Sequence, residues 1–268
     1  MPRANRHYIP GYIWHITHRC HKKEFLLKFA RDRRRWTEWL FEAKKRFGLC
    51  ILNYMVTSNH IHLLIVDNSK RDTIPNSMQL MAGRTGQEYN QRKGRKGAFW
   101  EDRYHATAVS FDDHLFKCME YIDMNMVRAG VVDHPKEWPF CGYNEIQNPR
   151  KRYSIIDYQR LVSLFQVRDL EALQESCGNR IQEALVSGEQ VRERKWSESI
   201  AVGNKSFIET TMKRLGIKAL GRKVFGNKES FEIREQAIPY KANFTLKNGS
   251  LSTKNAYFWK DRYSISTT

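Results

Sequence analysis

The stretch Thr57-Ser58-Asn59-His60-Ile61-His62-Leu63-Leu64-Ile65-Val66 decides how this chain is read. Apart from His62, residues 61–66 are apolar and rich in β-branched types, which predicts a strand, and the short polar run before them predicts a turn. Side chains two apart on a strand share a face, so His60 and His62 point one way while Ile61, Leu63 and Ile65 pack the other way. Upstream, 50–56 supplies the second arm of a hairpin. Further upstream, 12–18 alternates Tyr12, Trp14 and Ile16 with Ile13, His15 and Thr17, the pattern of a first strand. Between them, 27–47 carries Phe29, Trp36, Trp39, Leu40, Ala43 and Phe47 at helical spacing, with Arg31, Arg33, Arg34, Lys44 and Lys45 on the polar side and Gly48 as the stop.

Downstream of Pro75, a second helix runs through Met78, Leu80, Met81, Thr85 and Tyr89 to breaks at Gly94 and Gly97. Residues 104–111 read as a strand, and Asp112-Asp113 caps a third helix over 114–127 that stops near Gly130. The order strand, helix, strand, strand, helix, strand, helix predicts an α+β fold in which helices pack on one face of an antiparallel sheet. The texture changes at Pro135, and the basic run Asn148-Pro149-Arg150-Lys151-Arg152 places a boundary near residue 150. A domain over 1–150, a helical region over 151–216 (segments 156–165, 170–177, 180–186 and 205–215) and a poorly patterned basic tail over 217–268 are expected.

The chain has 268 residues, 41% of them hydrophobic, enough to bury a sizeable core. Lys and Arg total 46 against 29 for Asp and Glu, a net charge of +17, so the average surface attracts phosphate. Nucleic acid is the leading partner. In Arg92-Lys93-Gly94-Arg95-Lys96-Gly97-Ala98-Phe99-Trp100 the charges interleave with aromatics, a composition suited to backbone contact and base stacking. Arg33, Arg34, Arg84, Arg92, Arg95, Lys96, Arg103 and Arg128 are the candidate DNA-binding residues, though each taken singly reads first as a solvated surface charge. Five scattered cysteines without a Cys-x-x-Cys pair disfavour a zinc knuckle and a disulfide framework. No apolar run approaches membrane-spanning length, and the polar, basic N-terminus predicts a cytoplasmic protein.

Two imidazoles on one strand face are a chelating pair or, on the blander reading, histidines alternating harmlessly with core residues. In Met119-Glu120-Tyr121-Ile122-Asp123-Met124-Asn125-Met126-Val127-Arg128, Tyr121 and Asn125 stand four apart, hence on one helical face with Cβ atoms roughly 5–6 Å apart. A carboxamide oxygen from Asn125 would complete a His60, His62, Asn125 site for Mg²⁺ or Mn²⁺. Neutral ligands leave that ion its full charge for a phosphate. For Tyr121 the plainer reading is a core tyrosine of an amphipathic helix.

His60-Ile61-His62, the Tyr-x-x-x-Asn helix and Val127-Arg128-Ala129-Gly130 together resemble the single-tyrosine transposases of the HUH endonuclease superfamily, most closely the REP-associated tyrosine transposase branch. The resemblance covers about 7–145, including Gly97-Ala98-Phe99-Trp100-Glu101-Asp102-Arg103-Tyr104. The stretch 196–215, with Val202-Gly203 and Phe207-Ile208, is similar to the tail of that branch. It implies a ferredoxin-like HUH endonuclease fold, metal binding by His60 and His62 assisted by Asn125, and Tyr121 as nucleophile. It further implies cleavage and rejoining of single-stranded or hairpin DNA through a 5′-phosphotyrosine, and a homodimer in which the tyrosine of one subunit can meet the histidines of the other. Two positions depart from the family: Ser58 and Met126 stand where it usually has proline, and neither removes a reacting group. A non-catalytic nucleic-acid-binding regulator on the same scaffold and a replication- or relaxase-type nickase are the alternatives.

Overall fold

The computed structural model describes residues 9–68, 70–188, 191–227 and 230–235. The strand read at 12–18 is β1, Ile13–Arg19, and the hairpin is β2, Cys50–Val56, with β3, His60–Val66. β3 lies between β1 and β2, antiparallel to both, and β1 pairs on its other edge with β4, His105–Val109. This centre is almost wholly buried: Ile16, Ile51, Leu63, Leu64 and Ile65 are all inaccessible to solvent. Apolar alternation fixes the register, because a slip of one residue would turn every core side chain to the wrong face.

The first helix, α1, spans Ala30–Phe47 and stops at Gly48, whose φ of 68° is the left-handed conformation that glycine reaches without strain. The second, α2, spans Thr73–Lys93 and stops at Gly94 in the same way. These two pack against each other. The third helix differs from its reading. Instead of one helix over 114–127, α3 covers Asp113–Asp123, the chain breaks step at Met124, and α4 covers Asn125–Arg128. Tyr121 and Asn125 therefore flank a break. Asp112 caps α3 as expected, its carboxylate accepting from the His114 N–H at 2.8 Å.

Beyond residue 150 the structure departs further from the sequence reading. The segments 170–177 and 180–186 are one helix, α7 (Leu170–Ser187), which packs near α5 (Gly142–Gln147) and α6 (Tyr158–Phe165). Its buried stripe, Leu173, Cys177 and Ile181, runs straight past Gly178, so packing outweighs the helix-breaking cost of about 1 kcal/mol for that glycine. The part of the tail read as unpatterned contains two strands. After α8 (Lys195–Glu198), β5 (Ala201–Gly203) pairs parallel with β4, α9 (Lys205–Leu215) follows, and β6 (Arg222–Gly226) and β7 (Phe231–Glu235) extend the sheet. The order is β2-β3-β1-β4-β5-β7-β6, antiparallel except at β4–β5. All the described residues fall in one compact unit, so the region after 150 builds onto the same sheet; the tail from 236 onward lies outside the described residues.

Helices serve both faces of this α+β sheet. On the Trp14–Ile16–His18 side, Trp100 stacks on His18 at 4.1 Å and donates to the Ala82 carbonyl of α2. On the His15–Thr17 side, α3 and α8 bring Tyr121 and Trp196 against the histidines. Among the described residues, no helix is long and apolar enough to cross a membrane.

Candidate active site

Strand alternation carries His60 and His62 to one face of β3 as expected, with ring centroids 4.9 Å apart and planes at 77°. Tyr121 reaches the same place within the same chain, its ring 5.9 Å from that of His62 and edge-on to it. Asn125, just past the break at Met124, puts its carboxamide nitrogen 3.0 Å from His62 Nε2. The four residues singled out by spacing thus converge without a second subunit.

A further histidine joins them. His15 of β1 lies diagonally across from His62, since Thr17 is the direct partner of His62 and His15 that of Leu64. Its Nε2 is 2.9 Å from His62 Nδ1, and its Nδ1 is 2.7 Å from the Trp196 carbonyl. His15 was visible on the face shared with Ile13 and Thr17, but only register and the distant Trp196 give it neighbours, and neither is written locally.

Burial sets the charge of this cluster. It lowers His15 to about 3, with the Trp196 carbonyl opposing and His105 and His60 adding to the fall. It lowers His60 to about 4, helped by Arg19, Arg192 and Arg128, and carries His62 well below the ordinary imidazole range, helped by His60 and His15. All three rings are neutral at pH 7 and have lone pairs to offer. Burial also raises the Tyr121 phenol above its ordinary value, while Arg128 and Arg192 pull it back. The Arg128 guanidinium sits 4.1 Å over the Tyr121 ring and donates to the Tyr121 carbonyl. Arg19 and Arg192, which composition did not single out, thus help set the field around the histidines.

The hydrogen bonds show which nitrogens are available. His60 Nδ1 lies 2.7 Å from the Asn59 side-chain oxygen, so it carries the proton and leaves Nε2 bare. Thr57 braces the same ring at 2.9 Å and accepts from the His60 and Asn59 backbone N–H groups, locking the turn. At His62 the Asn125 amide N–H donates to Nε2, standing where a cation would draw on the same lone pair. The donor set therefore fits a divalent ion: two bare Nε2 atoms and a carboxamide whose oxygen shares a carbon with the nitrogen already in contact. Among the described residues no three His, Cys, Asp or Glu side chains form a metal cluster, so an ion here would rest on His60, His62 and Asn125.

The candidate DNA-binding residues divide. Arg33 is buried, donating to the Leu27 and Lys28 carbonyls at 2.9 and 2.7 Å beneath the Trp138 and Phe140 rings, a structural role. Arg92 pairs with Asp32, and Arg95 bonds Asn90 and the Ala98 carbonyl. Arg34, Arg84, Lys96 and Arg103 are exposed. A groove of about 540 Å³ between α1 and α2 is lined by Arg31, Arg34, Arg35, Arg92 and Glu88, of which Arg31 and Arg35 had no candidate role. His18 is structural, 2.7 Å from the Asp102 carbonyl; His105 meets the Ser199 carbonyl, and His114 pairs with Asp112.

No curated protein matches this chain. Among solved structures, it is similar to a REP-associated tyrosine transposase bound to a REP hairpin, at 18% identity over 59% of this chain and 95% of that one, with a TM-score of 0.47. It is also similar to a transposase candidate from Deinococcus radiodurans, at 17% identity over 40% of this chain and 86% of that one, with a TM-score of 0.32. The family model described as "Transposase IS200 like" matches residues 9–125, a span that opens before β1, takes in His15, His60, His62 and Tyr121, and closes on Asn125. Over that span, which is less than half of the chain, the protein is similar to IS200-like transposases.

Proposed function

We propose that this protein is a metal-dependent DNA transposase of the REP-associated type, which cuts and rejoins single-stranded or hairpin DNA through Tyr121. The observation that carries the proposal is the 5.9 Å approach of the Tyr121 ring to His62, whose Nε2 already meets Asn125, all in one chain. His60, His62 and Asn125 would hold Mg²⁺ or Mn²⁺, which when bound would neutralise charge developing on a scissile phosphate.

The chain's own residues account for the rest. The Tyr121 oxygen attacks phosphorus in line with the departing 3′ oxygen; the new bond is O–P to tyrosine, the broken one is P–O3′, and the phenolic proton is the equivalent of that gained by the free 3′-OH. The phosphodiester linkage survives as a 5′-phosphotyrosine, so a second 3′-OH can reverse the step without a nucleotide cofactor. Arg128 and Arg192 oppose the burial that keeps the phenol protonated. Because the raised phenol pKa leaves little phenolate at neutral pH, cleavage is expected to rise as pH climbs from 7 towards 9. The homodimer implied by resemblance is not required to bring the tyrosine to the histidines, so the proposal is cleavage in cis.

Hairpin DNA, the ligand of the similar structure, is the first substrate to test. With a hairpin oligonucleotide and Mn²⁺, the wild-type chain should yield a covalent protein–DNA adduct that Tyr121→Phe abolishes while binding stays nearly unchanged. An undiminished adduct would rule out Tyr121; a wild-type chain that binds hairpins but never forms an adduct would favour the non-catalytic regulator.

A further inference from the structure

We infer that His15 is a positioning residue: anchored on the Trp196 carbonyl, it fixes His62 in the Nδ1–H form and keeps Nε2 bare towards Asn125, which makes the α8 segment part of the metal centre. The inference rests on the metal-binding reading above for its purpose, though not for its geometry. A carbonyl oxygen only accepts, so the 2.7 Å contact to Trp196 places the single proton of neutral His15 on Nδ1. His15 Nε2 then has only a lone pair, and the 2.9 Å contact must be donated by His62 Nδ1. A neutral His62 has no proton left for Nε2, and the Asn125 amide N–H at 3.0 Å completes a chain with one consistent direction. The ring planes agree. His15 and His62 are within 6° of parallel with centroids 5.1 Å apart, the separation of imidazoles meeting edge to edge, so the N–H of one aims along the lone pair of the other.

The anchor is itself held. Trp196 is fully buried, Thr107 of β4 donates to the Trp196 and Ser199 carbonyls at 3.3 and 2.7 Å, and the parallel β4–β5 pairing follows at once. His60 reaches the same protonation pattern by a different device, the Asn59 side chain of its own turn. One metal-facing histidine is therefore oriented locally and the other from 134 residues away in sequence, the interval between His62 and Trp196. Outer partners of this kind keep a ligating ring turned and unprotonated at the metal-facing nitrogen.

The test is long-range ¹⁵N–¹H NMR of the metal-free, histidine-labelled full chain, alongside Mn²⁺ titration. The wild-type spectrum should show His62 protonated at Nδ1 and bare at Nε2. His15→Phe should let the Nε2–H form of His62 appear and weaken Mn²⁺ binding by about 10- to 100-fold. His15→Gln, whose amide offers both a donating NH2 and an accepting oxygen, should restore most of both. A wild-type His62 protonated at Nε2 overturns the inference without any variant having to fold, as does a folded His15→Phe chain with unchanged His62 tautomer and Mn²⁺ affinity. A wild-type chain with the expected tautomers that binds no Mn²⁺ upholds the positioning role and defeats the metal reading instead.

Discussion

The imidazoles of β1 and β3 and the arginines of α1 and α2 are the two nitrogen-rich regions of this molecule, and their partners set them apart. On the sheet, His15, His60 and His62 are each held by hydrogen bonds at a defined ring nitrogen: His15 Nδ1 on the Trp196 carbonyl, His62 Nδ1 on His15, and His60 Nδ1 on Asn59. On the helices several of the positive charges are answered already: Arg35 grips Glu88 at 2.6 and 2.8 Å, Arg92 pairs with Asp32, and Arg33 is sunk under Trp138 and Phe140. A count of 46 Lys and Arg therefore overstates the cation available to a ligand near α1, whereas the neutral sheet face holds donor atoms that a charge count never registers.

Substitutions break this contrast in order of size. His62→Ala removes the ring on which His15 and Asn125 converge, so covalent DNA product should vanish. The unpaired His15 nitrogen should also cost about 1–3 kcal/mol in denaturant unfolding. Arg33→Ala should cost about 2–3 kcal/mol of stability, from two lost carbonyl partners and its ring contacts, yet leave the salt dependence of DNA binding unaltered. A flatter salt slope for this variant would return Arg33 to the binding surface.

Asp112→Ala removes the cap of the helix that carries Tyr121 and should cost about 1 kcal/mol. Burial pushes the Asp112 carboxyl up, but hydrogen bonds from the His114 side chain and backbone and from Ser110 outweigh it and hold it at about 2. Its folded-state pKa lies below the unfolded one, so its contribution is present above the ordinary carboxyl range and is lost as pH falls from near 4 towards 2. Wild type should lose more stability than Asp112→Ala across that window; parallel acid titrations would sink the assignment. Smallest is Arg34→Ala on the exposed helix surface: stability within about 0.5 kcal/mol of wild type, with the salt slope of DNA binding reduced by about one.

The strands and helices through β4 were legible because each declares itself by local periodicity: the alternation in β1 and β3, the apolar stripe of α1, the glycine stops. The shared face of His60 and His62 was legible in the same way, while Tyr121 and Asn125, expected on one helical face, flank the break at Met124. What escaped depends on distant pairing. β5 is three residues long and exists by docking on β4; β6 exposes Val224 and Phe225, carries no inward stripe and is held by β7. The break at Met124 falls in a segment whose apolar pattern is continuous. His15 escaped for the same reason, since a lone histidine in an apolar strand acquires meaning only from the register that sets it beside His62 and from a carbonyl on α8.

Trypsin cuts after Lys117 and Arg128, so Tyr121 falls in a peptide, 118–128, with no other tyrosine, serine or threonine. Mass spectrometry of that peptide, after incubation of the chain with hairpin DNA and Mn²⁺ followed by nuclease trimming, reads the site of covalent attachment directly. A nucleotide mass on Tyr121 is the predicted result; the same mass on any other peptide, with 118–128 unmodified, would contradict the assignment of the nucleophile.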